Sequence, residues 1–147
     1  CKTFNNKKKF PFKVKIRQFS KKTLTNIFAR KNFNGGIDLV LIDGGHTPQQ
    51  QKADFLACKE SANEGCVYLF HDVINFQMVD SFVEIAKHND HLLSSILFRT
   101  PSGMAISYPK TFFNKLSTTV HAFTESDQRV KALHSKGKEN IAAEKFK

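Results

Sequence analysis

The sequence predicts an α/β protein with a mixed sheet, and three observations carry that prediction. First, Ile37-Asp38-Leu39-Val40-Leu41-Ile42 is a short apolar run without regular polar alternation, as suits a strand buried on both faces. Second, that run stops at Asp43-Gly44-Gly45-His46 and a helix start, and Cys66-Val67-Tyr68-Leu69-Phe70 repeats the pattern by ending in His71-Asp72. Third, residues 92–99 and 104–108 are strand-like and joined by Thr100-Pro101-Ser102-Gly103. Proline second and glycine fourth suit a type I turn, so this pair predicts a closing hairpin and an antiparallel edge.

The elements follow in order. Residues 1–12 are polar, basic and aperiodic, and predict a loop. Val14-Lys15-Ile16-Arg17-Gln18-Phe19 alternates as a half-covered strand does, and Ser20 can cap a helix to about Arg30. Asn34-Gly35-Gly36 turns the chain into the strand Ile37–Ile42. Thr47 is placed as an N-cap, with Pro48 at the first helical position and Gln50 completing a capping box. This helix is expected to reach about Ala62 and to close at Gly65 in a left-handed conformation. After the strand 66–70, Phe76, Val79, Phe82, Val83 and Ala86 predict one apolar helical face ending near Lys87-His88. Pro109 ends the hairpin, residues 111–123 predict a further helix, and residues 124–147 a loosely attached helix or a disordered tail. The domain proper is thus residues 13–123.

Bulk properties narrow the function classes. A chain of 147 residues, 40% hydrophobic and 24% charged, suits one domain with a useful core. The net charge of +10 is concentrated at the two ends. No stacking or groove-reading motif interleaves the lysines, so they read as a solvated basic surface rather than a nucleic-acid interface. Cys1, Cys58 and Cys66 have no C-x-x-C spacing, which excludes a zinc knuckle and a dithiol motif and fits reduced thiols in a cytoplasmic protein. No apolar stretch approaches a membrane span, so no membrane partner is expected.

Chemistry is expected at the strand ends, because ligands of open α/β sheets bind beyond the carboxyl ends of the strands. Asp43, His71 and Asp72 are candidate ligands of a divalent cation: carboxylates suit Mg²⁺ and Mn²⁺, and an imidazole draws the preference towards Mn²⁺, Fe²⁺ or Zn²⁺. The alternatives are a turn in which Asp43 bonds the Gly44-Gly45 backbone, and capping roles for His71 and Asp72. His46, just before the helix cap, is a candidate general base, or else a loop histidine bonded to a carbonyl. Gly44 and Gly45 permit close approach of a ligand to the backbone. Asp54 reads as a solvated or capping partner, and His88, His91, His121 and His134 as surface residues.

Asp43-Gly44-Gly45-His46, Asp54 at helical spacing, Gly65 and Phe70-His71-Asp72-Val73 together resemble the second half of a class I AdoMet-dependent methyltransferase. Within that group the chain is most similar to the metal-dependent O-methyltransferases of the macrolide-sugar and cephalosporin-biosynthesis type. The resemblance runs from about Val14 to Tyr108 and implies part of a Rossmann-like methyltransferase sheet with its first strands missing. It implies S-adenosyl-L-methionine as cofactor, bordered by Phe19, Ser20, Asp43 and Gly44, and a divalent metal (Mg or Mn) on Asp43, His71 and Asp72. It implies His46 as the base for a small-molecule hydroxyl acceptor. The family's glycine-rich turn and acidic strand end have no counterpart in residues 1–12, which contain neither glycine nor acid. A fragment, weak or inactive by itself, is the resulting expectation. A non-enzymatic α/β interaction module and a basic nucleic-acid-binding protein are the readings from other classes.

Overall fold

In the computed structural model, residues 3–4, 14–15, 36–124 and 127–144 are described. They contain a four-stranded sheet in the order β3-β4-β6-β5, formed by β3 (Ile37–Ile42), β4 (Ala62–Phe70), β5 (Leu92–Leu97) and β6 (Met104–Pro109). β3 and β4 run parallel, whereas β4–β6 and β5–β6 are antiparallel. This is the mixed α/β sheet expected of a partial Rossmann-like methyltransferase fold, with the hairpin folded so that its second strand sits inside. β1 (Thr3–Phe4), in the stretch expected to be loop, pairs antiparallel with β2 (Val14–Lys15) as a separate two-stranded ladder. The helix expected from Ser20 and the candidate residues Phe19 and Ser20 lie outside the described residues.

One face of the sheet carries the main core. Val40, Ile42, Tyr68, Phe70 and Ala105 meet Phe55 from α1 (Pro48–Lys59), and Phe82 and Ile85 from α2 (Val79–Lys87). Three aromatic pairs knit it: Phe55 packs on Tyr68 and Phe70, and Phe70 edge-on to Phe82 at 5.1 Å. On the other face, Val120 of α3 (Phe113–Thr124) covers Leu97, Ile106 and Tyr108. That cover stops short of β3, where Leu39 and Leu41 are 61% and 57% exposed. The expectation of a strand buried on both faces is therefore corrected: α1 packs on the Val40–Ile42 side, while α3 lies over the hairpin.

Thr47 caps α1 as expected, its hydroxyl accepting from the Gln50 backbone N–H at 3.2 Å. The Gln50 side chain does not close the capping box; it donates forward to Asp54 at 2.6 Å. α1 also ends earlier than expected, at Lys59, because the chain enters β4 at Ala62. Gly65 consequently lies inside a strand rather than closing a helix. Gly36 (φ 74) is left-handed instead, and a β-carbon there would overlap the Asn63 carboxamide that bonds Asp38. The predicted turn of the hairpin is present, with Gly103 N–H donating to Thr100 O at 3.1 Å. Its second strand runs through Pro109 instead of stopping before it. Residues 127–144 form α4 (Asp127–Glu144), the helical one of the two expected alternatives. Among the described residues no helix is long and apolar enough to cross a membrane.

Cys58 and Cys66 are free thiols. Burial is the main cause that pushes both up to about 11 from an ordinary 9.0, with Asp54 adding to it at Cys58 and Tyr68's hydrogen bond partly opposing it at Cys66. Burial likewise raises the Tyr68 phenol. A thiol whose folded pKa is raised stabilises the fold fully below its unfolded value, and that contribution is lost as pH climbs through the folded one. The urea midpoint is expected to fall between pH 9 and 11, with a smaller fall in a Cys58→Ala/Cys66→Ala variant. An identical pH profile in the two proteins would remove the thiols from that account.

Candidate functional site

The parallel pairing of β3 with β4 decides where the site lies. Ile42 is in register with Phe70, so Asp43 and His71 leave the sheet side by side at one edge. His71 N–H donates to Ile42 O at 2.9 Å, continuing the ladder one residue past the strand. There His71 Nδ1 lies 3.2 Å from Asp43 Oδ1 and 3.2 Å from Asp72 Oδ2. His46, before the α1 cap, reaches back to the same carboxylate, with Nε2 3.3 Å from Asp72 Oδ2. Its ring stacks on Phe76 with centroids 4.0 Å apart.

Asp72 is the hub of the arrangement. It is buried, faces both imidazoles and accepts from the buried Asn75 Nδ2 at 3.3 Å. Its φ of 56 is left-handed, a conformation that aspartate tolerates better than most non-glycine residues. Asp43, by contrast, is open to solvent, as are Gly44 and Gly45. A small cleft lined by Asp43, Gly44, Gly45, His46, Gln51 and His71 opens at this edge.

The donor set fits a divalent cation. Asp43, His46 and Asp72 each offer a ligand atom within 4.8 Å of the others. His71 Nδ1 is itself buried and has no aligned hydrogen-bond partner, although two carboxylate oxygens lie 3.2 Å away. Freed of its proton, His71 Nδ1 can offer a lone pair to a cation beside these carboxylates, and imidazole with carboxylate suits Mn²⁺ or a similar ion.

All four strand-end candidates thus come together, and the structure adds one residue that sequence reasoning undervalued. Asp54 is buried rather than solvated, on the inward side of α1, where it accepts from Gln50. A β-carbon on Gly44 would overlap the Asp54 carboxylate, so that glycine lets the Asp43–His46 loop settle onto the helix. Its signal was positional: Asp54 stands seven residues after Thr47, two helical turns along α1. His88 and His91 are exposed, as expected.

Comparison with known proteins bears on this edge of the sheet. No curated protein and no solved structure matches the chain. Residues 8–73, somewhat under half of the chain, match the family model described as a methyltransferase domain. The matched stretch spans β3, α1, β4 and every candidate site residue, and it supports a methyltransferase domain.

Proposed function

We propose that this chain carries the metal- and acceptor-handling part of an AdoMet-dependent O-methyltransferase acting on a small hydroxylated molecule or a sugar. The observation that carries the proposal is the convergence of Asp43, His46 and Asp72 at the ends of two parallel strands, inside the stretch that matches a methyltransferase domain. When bound, AdoMet would supply the methyl group, and a divalent cation would lower the cost of deprotonating the acceptor hydroxyl. Asp43, Asp72 and His71 would hold that cation. His46 takes the hydroxyl proton, and its ring is already fixed by Asp72 on one side and Phe76 on the other. The imidazolium formed would lie against the Asp72 carboxylate, which stabilises it without reorganisation. The exposed Gly44-Gly45 backbone leaves room for cofactor and acceptor to approach.

A second division of labour is favoured by the inclusion of His46 with the two acids within 4.8 Å: His46 as the third ligand and His71 as its neighbour. Titration of the chain with Mn²⁺, followed by water-proton relaxation, separates the two. Under the proposal, His71→Ala weakens Mn²⁺ binding while His46→Ala retains it, and the opposite result exchanges the roles. Methyl transfer from labelled AdoMet to a panel of sugars and phenols, with and without chelator, tests the reaction itself. Chelator-insensitive transfer would refute the metal's part in it.

A further inference from the structure

The segment that follows Asp72 is in close contact with two glycines from distant parts of the chain. Gly103 of the β5–β6 turn accepts from Ile74 N–H at 3.2 Å, and a β-carbon there would lie within 2.8 Å of three Ile74 side-chain atoms. From α4 comes the buried Gly137, where a β-carbon would overlap the backbone carbonyls of Ile74 and Asn75. The segment they touch is a tight one. Phe76 N–H donates to Asp72 O, Gln77 N–H to Ile74 O and Met78 N–H to Val73 O, with positive φ at both Asp72 and Gln77.

Two left-handed non-glycine residues so close together persist only where the surroundings over-determine them. The residue gripped is also the one that steers the site, since Asn75 donates its side-chain N–H to Asp72. Glycine is a poor choice for the interior of an 18-residue helix unless something requires its missing side chain. The backbone of Ile74 and Asn75 is what requires it.

We infer that α4 is a positioning element of the site: Gly137, together with Gly103, packs on Ile74–Asn75 and so sets the Asp72 carboxylate through Asn75. The inference rests on the proposed metal-binding role of Asp72 for its functional consequence, and on packing alone for the clamp.

The test uses the full chain with Gly137→Ala, and Asn75→Ala as a variant that breaks the link while leaving the Gly137 contact in place. In an unattached helix, glycine to alanine raises stability. Here the opposite sign is expected: a lower melting temperature, and faster hydrogen exchange at the amides of Ile74, Phe76, Gln77 and Met78. Loss of a hydrogen-bond partner of a metal ligand typically weakens metal binding about 10–100-fold, and both variants are expected to lose Mn²⁺ affinity in that range. A Gly137→Ala protein that melts higher, keeps those amides protected and binds Mn²⁺ as the parent does would overturn the inference. If Asn75→Ala alone loses affinity, α4 has no part in it. If the parent chain binds no Mn²⁺, the metal reading fails, and the exchange rates alone decide the clamp: faster exchange upholds it and unchanged exchange refutes it.

Discussion

Asp72→Asn is expected to weaken Mn²⁺ binding by more than the about 10–100-fold typical of losing an outer hydrogen-bond partner. Asp72 faces His46 and His71 with one oxygen and takes the Asn75 hydrogen bond on the other. Asparagine keeps the shape and tolerates the left-handed backbone that φ 56 requires, so the change removes charge while sparing the fold. Alanine would add backbone strain and confuse the two effects. The check is a Mn²⁺ titration paired with a thermal melt. A variant with parental affinity would take Asp72 out of the site, and the metal reading would go with it.

Phe70→Ala is expected to cost about 3–5 kcal/mol, the usual range for removing a buried aromatic side chain. Phe70 is fully buried, between Phe55 of α1 and Phe82 of α2, so it ties both helices to the last residue of β4. Domains of this size are stable by only about 5–15 kcal/mol, so the variant is expected to be largely or partly unfolded under mild conditions. Urea denaturation measures the loss directly. Phe70→Leu, which keeps most of the volume, is expected to lose clearly less. A cost below about 1 kcal/mol for the alanine variant would contradict the packing of this core.

The site was legible in the sequence because its residues stand at abrupt ends of apolar runs. Asp43 and His71 each follow a short apolar run that suits a strand, and parallel pairing of the two strands places them together. The start of β4 was harder to read. Ala62-Asn63-Glu64-Gly65 has the look of a helix end, yet tertiary pairing overrides it: Ala62 opposes Ile37, and a register shift follows before Leu39 meets Val67. That irregularity is held by Asn63 bonding Asp38 across the strands, a contact invisible to local patterning.

Asp54 escaped for a related reason. α1 turns Gln51 and Asp54 inward beside Phe55 and leaves Leu56 exposed, so its buried side is mostly polar. Hydrophobic periodicity identifies helices whose buried stripe is apolar, and here Phe55 alone of the three buried α1 residues is apolar. The attachment of α4 could not be read either, because a glycine in a lysine-rich stretch signals nothing until its neighbour in space is known.

The contact of Gly137 with Ile74 and Asn75 also has a consequence for timing. β3, α1 and β4 leave the ribosome before α4 and can pair at once, whereas the last support of the Asp72 segment, Gly137, follows it in the chain by 137 − 72 = 65 residues. At about 5–20 residues per second, several seconds of synthesis separate the carboxylate from the helix that steadies it. The sheet is therefore expected to exist in the nascent chain before the Asp72 segment at its edge is fixed, so that folding of the sheet and ordering of that edge are two events rather than one.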